Sequence, residues 1–239
     1  MFLDLIKLLA MPVVVGGALV GADVSALSSA LASTPEFAQV GQYGVGEDSA
    51  AEIIDSDGTV LAYTNSDKGT IDFVDIVDPS NPTAITSVDV GGEPTSVAIH
   101  DGYAVAAVNT SSSFTNPSGK VVVIDMWQYK VVKEIALAGQ PDAVSISPNG
   151  KFAAIAIENE RDEDLNDGLI PQYPAGNIAI VNLEGEVTYA DVRGLAGIAP
   201  SDPEPEFVDV NDRGEIVVTL QENNHMVILD SSGNIISDF

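Results

Sequence analysis

Glu93-Pro94-Thr95-Ser96-Val97-Ala98-Ile99 returns as Gln140-Pro141-Asp142-Ala143-Val144-Ser145-Ile146 and again as Glu204-Pro205-Glu206-Phe207-Val208-Asp209-Val210. In each copy the proline is followed three residues later by valine and five later by isoleucine or valine. A turn glycine comes next, at Gly102, Gly150 or Gly214, and then a second alternating apolar run. Turn, strand, glycine turn and strand make the first half of a β-meander, so the chain reads as a repeat protein.

Outward from that stretch, four copies of one four-stranded unit can be laid down. The strands fall at 50–54, 59–64, 71–76 and 84–90 in the first copy, and at 95–99, 103–108, 120–125 and 131–137 in the second. They fall at 143–147, 152–157, 177–183 and 187–192 in the third, and at 206–210, 215–220, 225–230 and from about 235 in the fourth. Third strands end alike, in Val74-Asp75, Ile124-Asp125, Val181-Asn182 and Leu229-Asp230, where a short polar side chain can hold the next turn. The expected fold is all-β, a β-propeller of four-stranded antiparallel blades. Its units are 44–92, 93–139, 140–203 and a partial blade at 204–239, with a closing strand at 36–43. One strand too many for a closed four-blade ring makes this the N-terminal part of a larger propeller.

Composition narrows the function. With 36 acidic residues against 9 Lys and Arg, the net charge of -27 repels nucleic acid and anionic lipid. Cysteine is absent, which excludes disulfides, thiolate metal sites and a cysteine nucleophile. Two histidines, and no serine in a nucleophile-elbow setting, speak against a hydrolytic triad, and no catalytic residue is assigned. Residues 1–32 read as an export segment: an apolar run from 8 to 20 after Lys7, then Ala30-Leu31-Ala32, with Pro12, Gly16 and Gly17 breaking any spanning helix. The protein is expected to be secreted, periplasmic or on the cell surface, with no membrane insertion of the mature domain.

Strand parity places the loops between second and third strands on one face, together with the blade-to-blade loops. The first set opens with Asn65, Asn109, Asn159 and, in the last blade, Gln221-Glu222-Asn223. The second brings Glu93, Asp142, Glu204 and Glu206 to the same face. Any one of these is an ordinary turn former; the recurrence marks a ligand face, and Asn109, Asn159, Glu206, Gln221 and Asn223 are the candidate binding residues. The loop from 159 to 176 is far longer than its counterparts and is acidic over 160–167. Glu158, Glu160, Asp162, Asp164 and Glu222 offer hard oxygen donors of the kind calcium takes, although no EF-hand spacing is met. The open alternative is a solvated acidic loop. Trp127, after the third strand of the second blade, is read as inter-blade packing.

The segments IENERDEDLNDG…PAGNIAIVNL and PEPEFVDVNDRGEIVVTLQENNHMVILD resemble the bacterial secreted propellers called choice-of-anchor I proteins. These are similar in turn to esterase-like phytases and to surface-layer propeller repeats of the YVTN type. The resemblance implies an extracellular protein and allows two functions. One is a binding module for an extracellular ligand or protein. The other is a calcium-dependent phosphoesterase, in which the same acids with Glu206 would hold cations that neutralise a phosphate and activate water.

Overall fold

The computed structural model describes residues 38–239 apart from Asp48 and Leu183, and Val40–Phe239 forms one compact unit. The export segment and Phe37 lie outside the described residues. Blade 1 consists of β1 (Ala51–Ser56), β2 (Val60–Asn65), β3 (Thr70–Asp75) and β4 (Thr83–Asp89). Blade 2 holds β5 (Glu93–His100), β6 (Tyr103–Asn109), β7 (Gly119–Asp125) and β8 (Lys130–Leu137). Blade 3 holds β9 (Pro141–Ile146), β10 (Phe152–Ile157), β11 (Asn177–Asn182) and β12 (Val187–Ala190). Blade 4 holds β13 (Pro205–Val210), β14 (Ile216–Leu220), β15 (His225–Leu229) and β16 (Ile235–Asp238). Each sheet is antiparallel and ordered as the chain runs.

The strand sequences explain the stacking. Successive side chains of a strand point to opposite faces, and in a middle blade each face meets a different neighbour. Along β6, Ala104, Ala106 and Val108 pack toward blade 1, while Ala107 and Val105 pack toward blade 3. Along β10, Ala153, Ile155 and Ile157 face blade 2, and Phe152, Ala154 and Ala156 face blade 4. Both strands are therefore continuous apolar runs. Three inter-blade cores join the four sheets, one between each successive pair. Strand β13 packs on β9, β9 on β5 and β5 on β1, so the four blades form an open arc around their first strands.

The repeated motif builds that inner wall. Val97, Val144 and Val208, each three residues after the proline, are buried toward the preceding blade. Polar side chains stitch neighbouring inner strands: the Ile99 amide donates to Asp55 Oδ2 at 2.7 Å and the Val144 amide to Ser96 Oγ at 3.1 Å. The proline itself seats against the preceding blade, where a glycine opens the third strand. A Cβ on Gly119 would fall on the Pro141 ring, and one on Gly176 on the Pro205 ring and the Glu158 carbonyl. Alanine at either position would force the blades apart, at a cost of about 1–3 kcal/mol.

The terminal acids of the third strands hold their turns as expected. Asp125 Oδ1 accepts from the Trp127 and Gln128 amides, Asp230 Oδ1 from Ser232 and Asn234, and Asn182 Oδ1 from Glu186.

Two expectations change. Residues 38–43 of the closing strand carry no strand; Gly41 lies against the Pro79 carbonyl in the turn between β3 and β4, and β16 already fills the outer edge of blade 4. Trp127 is 72% exposed and lies over Gly102, its ring edge-on to Tyr103 of its own blade at 5.8 Å. It sits on a turn, where the neighbouring blade does not reach.

Candidate functional site

The long loop between β10 and β11 is folded down onto the connection from blade 3 to blade 4. Arg161 makes this happen. Its Nε donates to Asp202 Oδ2 at 3.0 Å, its Nη2 to the Asp202 carbonyl at 3.0 Å, and its Nη1 pairs with Glu204 Oε2 at 2.9 Å. All three side chains are almost wholly buried. The other arm of the loop reaches the same anchor, because the Gln172 amide donates to Asp202 Oδ2 at 2.9 Å. Gln172 also bonds the Asp162 backbone in both directions, so the two arms close on each other. A single turn of 3₁₀ helix at Leu165–Gly168 makes the tip.

The recurring asparagines turn out to be clamps. Asn159, in the left-handed region at φ +55, accepts from the Gln140 amide at 2.8 Å and donates to the Ala175 carbonyl at 3.0 Å. Asn223 accepts from the Glu204 amide at 2.9 Å and donates to the carbonyls of Ile198, Ala199 and Asp202. Each ties the loop entering its blade to the loop leaving the second strand. Their side-chain amides bond the backbone. Asn109 is less committed: it donates to Glu93 Oε2 at 3.3 Å and accepts from Ser111. Gln221 lies exposed in the turn after β14 and is not among the residues that line the acidic cleft described below.

With the loops fixed this way, Glu158, Glu160, Glu204, Glu206 and Glu222 line a cleft of about 520 Å³, with Glu163, Asp167 and Gly168 on its loop side. Arg161 is the one cation among its described lining residues. Burial, reinforced by the charges of Glu206, Glu160 and Glu52, pushes the Asp142 carboxyl up to about 7. Burial together with Asp142, Glu206, Glu160 and Glu204 takes Glu158 up to about 8. At Glu204 burial pushes upward, Arg161 pulls back, and Asp202, Glu222 and Glu206 push again, leaving it at about 7. Glu206 is raised by burial and by Glu222. Burial, with the neighbouring acids adding to it, raises all four carboxyls above their ordinary range.

The structure thus brings together Glu158, Glu160, Glu206 and Glu222 of the expected acids. Asp162 and Asp164 stand apart. Asp162 Oδ1 accepts from the Asp164 amide within the loop, and neither side chain lines the cleft. The donors surround the cleft and do not converge on a point: among the described residues no three acid or histidine side chains form a ready metal shell. Sequence reasoning missed Arg161 and Asp202. The signal was present, as Arg161 is the single cation in the stretch from 158 to 176.

A radial arc of four-stranded blades with loops gathered over the inner strands defines a β-propeller module. A family model described as the choice-of-anchor I domain matches residues 52–195, more than half of the chain, and the protein belongs to that family. Membership makes it a surface β-propeller module. Its fold is similar to that of a functionally unknown protein from Desulfotomaculum acetoxidans DSM 771, with TM-score 0.58 and 16% identity over 83% of this chain and 58% of that one. Streptogramin B lyase gives TM-score 0.57 and 14% identity over 82% and 56%. A chain of a nidogen/laminin complex gives TM-score 0.52 and 14% identity over 80% and 63%. The chain therefore spans less than two thirds of the length of each of these three solved chains. No curated protein matches it. Among the described residues no helix is long and apolar enough to cross a membrane.

Proposed function

We propose that the protein is an extracellular binding module whose ligand face is the loop face of blades 3 and 4, and that its acidic cleft takes a hard divalent cation such as calcium. The observation that carries this reading is the gathering of Glu158, Glu160, Glu204, Glu206 and Glu222 around one cleft that Arg161 alone offsets. Packed carboxylates repel one another unless a proton or cation intervenes. Carboxylate oxygens suit calcium, which tolerates irregular geometry and keeps waters in its shell. Glu158, Glu160, Glu206 and Glu222 would hold it, with water completing the coordination, since the side chains do not close on one point. Bound calcium would supply the positive charge through which an anionic extracellular partner could be held.

Isothermal titration with calcium in buffers of different ionisation enthalpy tests this. Saturable binding with protons released at pH 7 supports it, because Glu158 and Asp142 would give up protons to the ion. Absence of binding at millimolar calcium overturns it. The phosphoesterase alternative depends on the same ion, since the bare cleft repels phosphate. Hydrolysis of a phosphate monoester that a chelator abolishes would shift the reading from binding module to enzyme.

A further inference from the structure

The ends of the outer strands carry a repeat of their own. Val88 with Val90, Ile135 with Leu137, and Ala190 with Val192 are equivalent pairs, each buried toward the following blade. In that register the residue before each pair is Ser87, Glu134 or Tyr189, and the residue after it is Gly91, Ala138 or Arg193. The ladders agree, since Ser87, Glu134 and Tyr189 sit opposite Asp72, Val122 and Ala179, each three residues before the end of its third strand. In blades 1 and 3 one carboxylate holds the turn that follows: Asp89 Oδ1 accepts from the Gly91 amide at 2.8 Å, and Asp191 Oδ1 from the Arg193 amide at 3.0 Å. The turn is made as well with glycine as with arginine, so Tyr189 and Arg193 are departures that the repeat does not require.

Both departures line one cavity of about 410 Å³ at the outer edge of blade 3, with Asp191 beside them and with Tyr173 and Pro174 from the end of the long loop. Tyr173 is 60% exposed and Tyr189 40%. The Tyr189 hydroxyl accepts from the Ala138 amide at 2.8 Å, which fixes the ring from its far end. Arg193 grips Asp191 with two parallel hydrogen bonds, Nε to Oδ1 at 2.9 Å and Nη2 to Oδ2 at 2.6 Å. These two are the only charged groups among the described lining residues, and they neutralise each other.

We infer that this cavity binds a neutral saccharide. Its volume is in the range of small-molecule sites. Two exposed tyrosine rings offer flat apolar faces against which the C–H groups of a sugar ring pack. Sugar hydroxyls donate and accept at once, and the Asp191–Arg193 pair sets carboxylate lone pairs and guanidinium N–H groups side by side to meet them. Because that pair is already neutral, the cavity offers no excess charge to an ionic ligand. The chain's net charge of -27 repels an acidic glycan, and a cation finds the acidic cleft instead. Neither calcium nor the cleft acids take part, so this inference stands or falls apart from the reading above.

The probes are linear trisaccharides of glucose, galactose, mannose and N-acetylglucosamine, with trigalacturonate as the charged counterpart. Each is titrated by calorimetry into the full chain with a chelator present, so that the outcome does not depend on calcium. At least one neutral trisaccharide should bind saturably with a dissociation constant of about 0.1–1 mM. Tyr173→Ala should keep the fold by circular dichroism and weaken that sugar by about tenfold, through loss of one stacking face. Tyr189→Phe keeps the ring and loses only the hydroxyl bonded to Ala138, so it should bind within about twofold of the parent, while Tyr189→Ala should weaken binding as Tyr173→Ala does. No saturable binding of any of these neutral sugars up to about 10 mM overturns the inference. So does trigalacturonate binding as tightly as the best of them, or a folded Tyr173→Ala that binds as the parent does.

Discussion

The two faces of this propeller use the same residue types to opposite ends. On the face of the strand turns, exposed Asp78 and half-buried Asp230 and Glu215 are held below the usual carboxylate range, by Ser80, by Asn234 and by Asn211 respectively. On the loop face of blades 3 and 4, Asp142, Glu158, Glu204 and Glu206 are driven upward by burial and by one another. A turn acid is satisfied by backbone and side-chain donors and stabilises a single hairpin. A cleft acid is short of donors and becomes responsive to protons and cations. The formal net charge of -27 conceals this division, because it counts every acid alike.

Arg161 is the strongest point at which to break the contrast. Replacing it by Met removes the guanidinium that pairs with buried Asp202 and Glu204. The expected loss is about 3–5 kcal/mol, or roughly 10 °C in melting temperature at pH 7.5. The loss should shrink at pH 5, where Glu204 can take up a proton. A drop of the same size at both pH values would mean that Arg161 acts by packing alone.

The asparagine clamps come next in size. Asn223→Ala leaves the Glu204 amide and three carbonyls without their side-chain partner and should cost about 2–3 kcal/mol. Asn109→Ala, at the equivalent place in blade 2, should cost less than about 1 kcal/mol, since Glu93 is exposed and the Ser111 amide only half-buried. Chemical denaturation of both variants measures the difference. Equal costs would return the asparagines to a ligand role.

Smaller still is the pH dependence of the cation-free protein. A carboxyl whose folded pKa is raised stabilises fully below its unfolded value, near ~4, and that contribution is lost as pH rises through the folded value. With Asp142 and Glu204 at about 7 and Glu158 at about 8, melting temperature should fall by a few degrees between pH 5 and pH 8. The turn acids, with lowered values, act in the other window and lose their contribution only as the solution becomes strongly acidic. Glu158→Gln should flatten the decline, as thermal scans across the range would show. An unchanged slope would place the titrating group elsewhere.

Much of the fold was legible because a blade repeats its constraints. The proline and the valine three residues later mark each inner strand, and Asp125 or Asp230 marks each turn. The face of the site was legible from strand parity, which brought Glu158, Glu160, Glu206 and Glu222 together. What sequence could not give was how polar side chains are spent. Asn159 and Asn223 look like ligand residues until the carbonyls and amides around them are placed. Asp162 and Asp164 look like metal donors until their loop folds back through Gln172. Arg161 escaped notice because its partners, Asp202 and Glu204, lie some forty residues on and meet it only through the docking of one loop on another.

The most direct measurement is the calcium-induced shift in melting temperature of the parent and of the double variant Glu160→Gln, Glu222→Gln at pH 7.5. Both residues line the cleft, and Gln at 160 can still accept the hydrogen bond that Gln140 Nε2 donates to Glu160 Oε2 at 3.1 Å, so the variant should fold as the parent does. The account predicts that calcium raises the melting temperature of the parent by several degrees and leaves the double variant unmoved. Equal shifts in both proteins, or none in either, would contradict it and leave the cleft a solvated acidic rim.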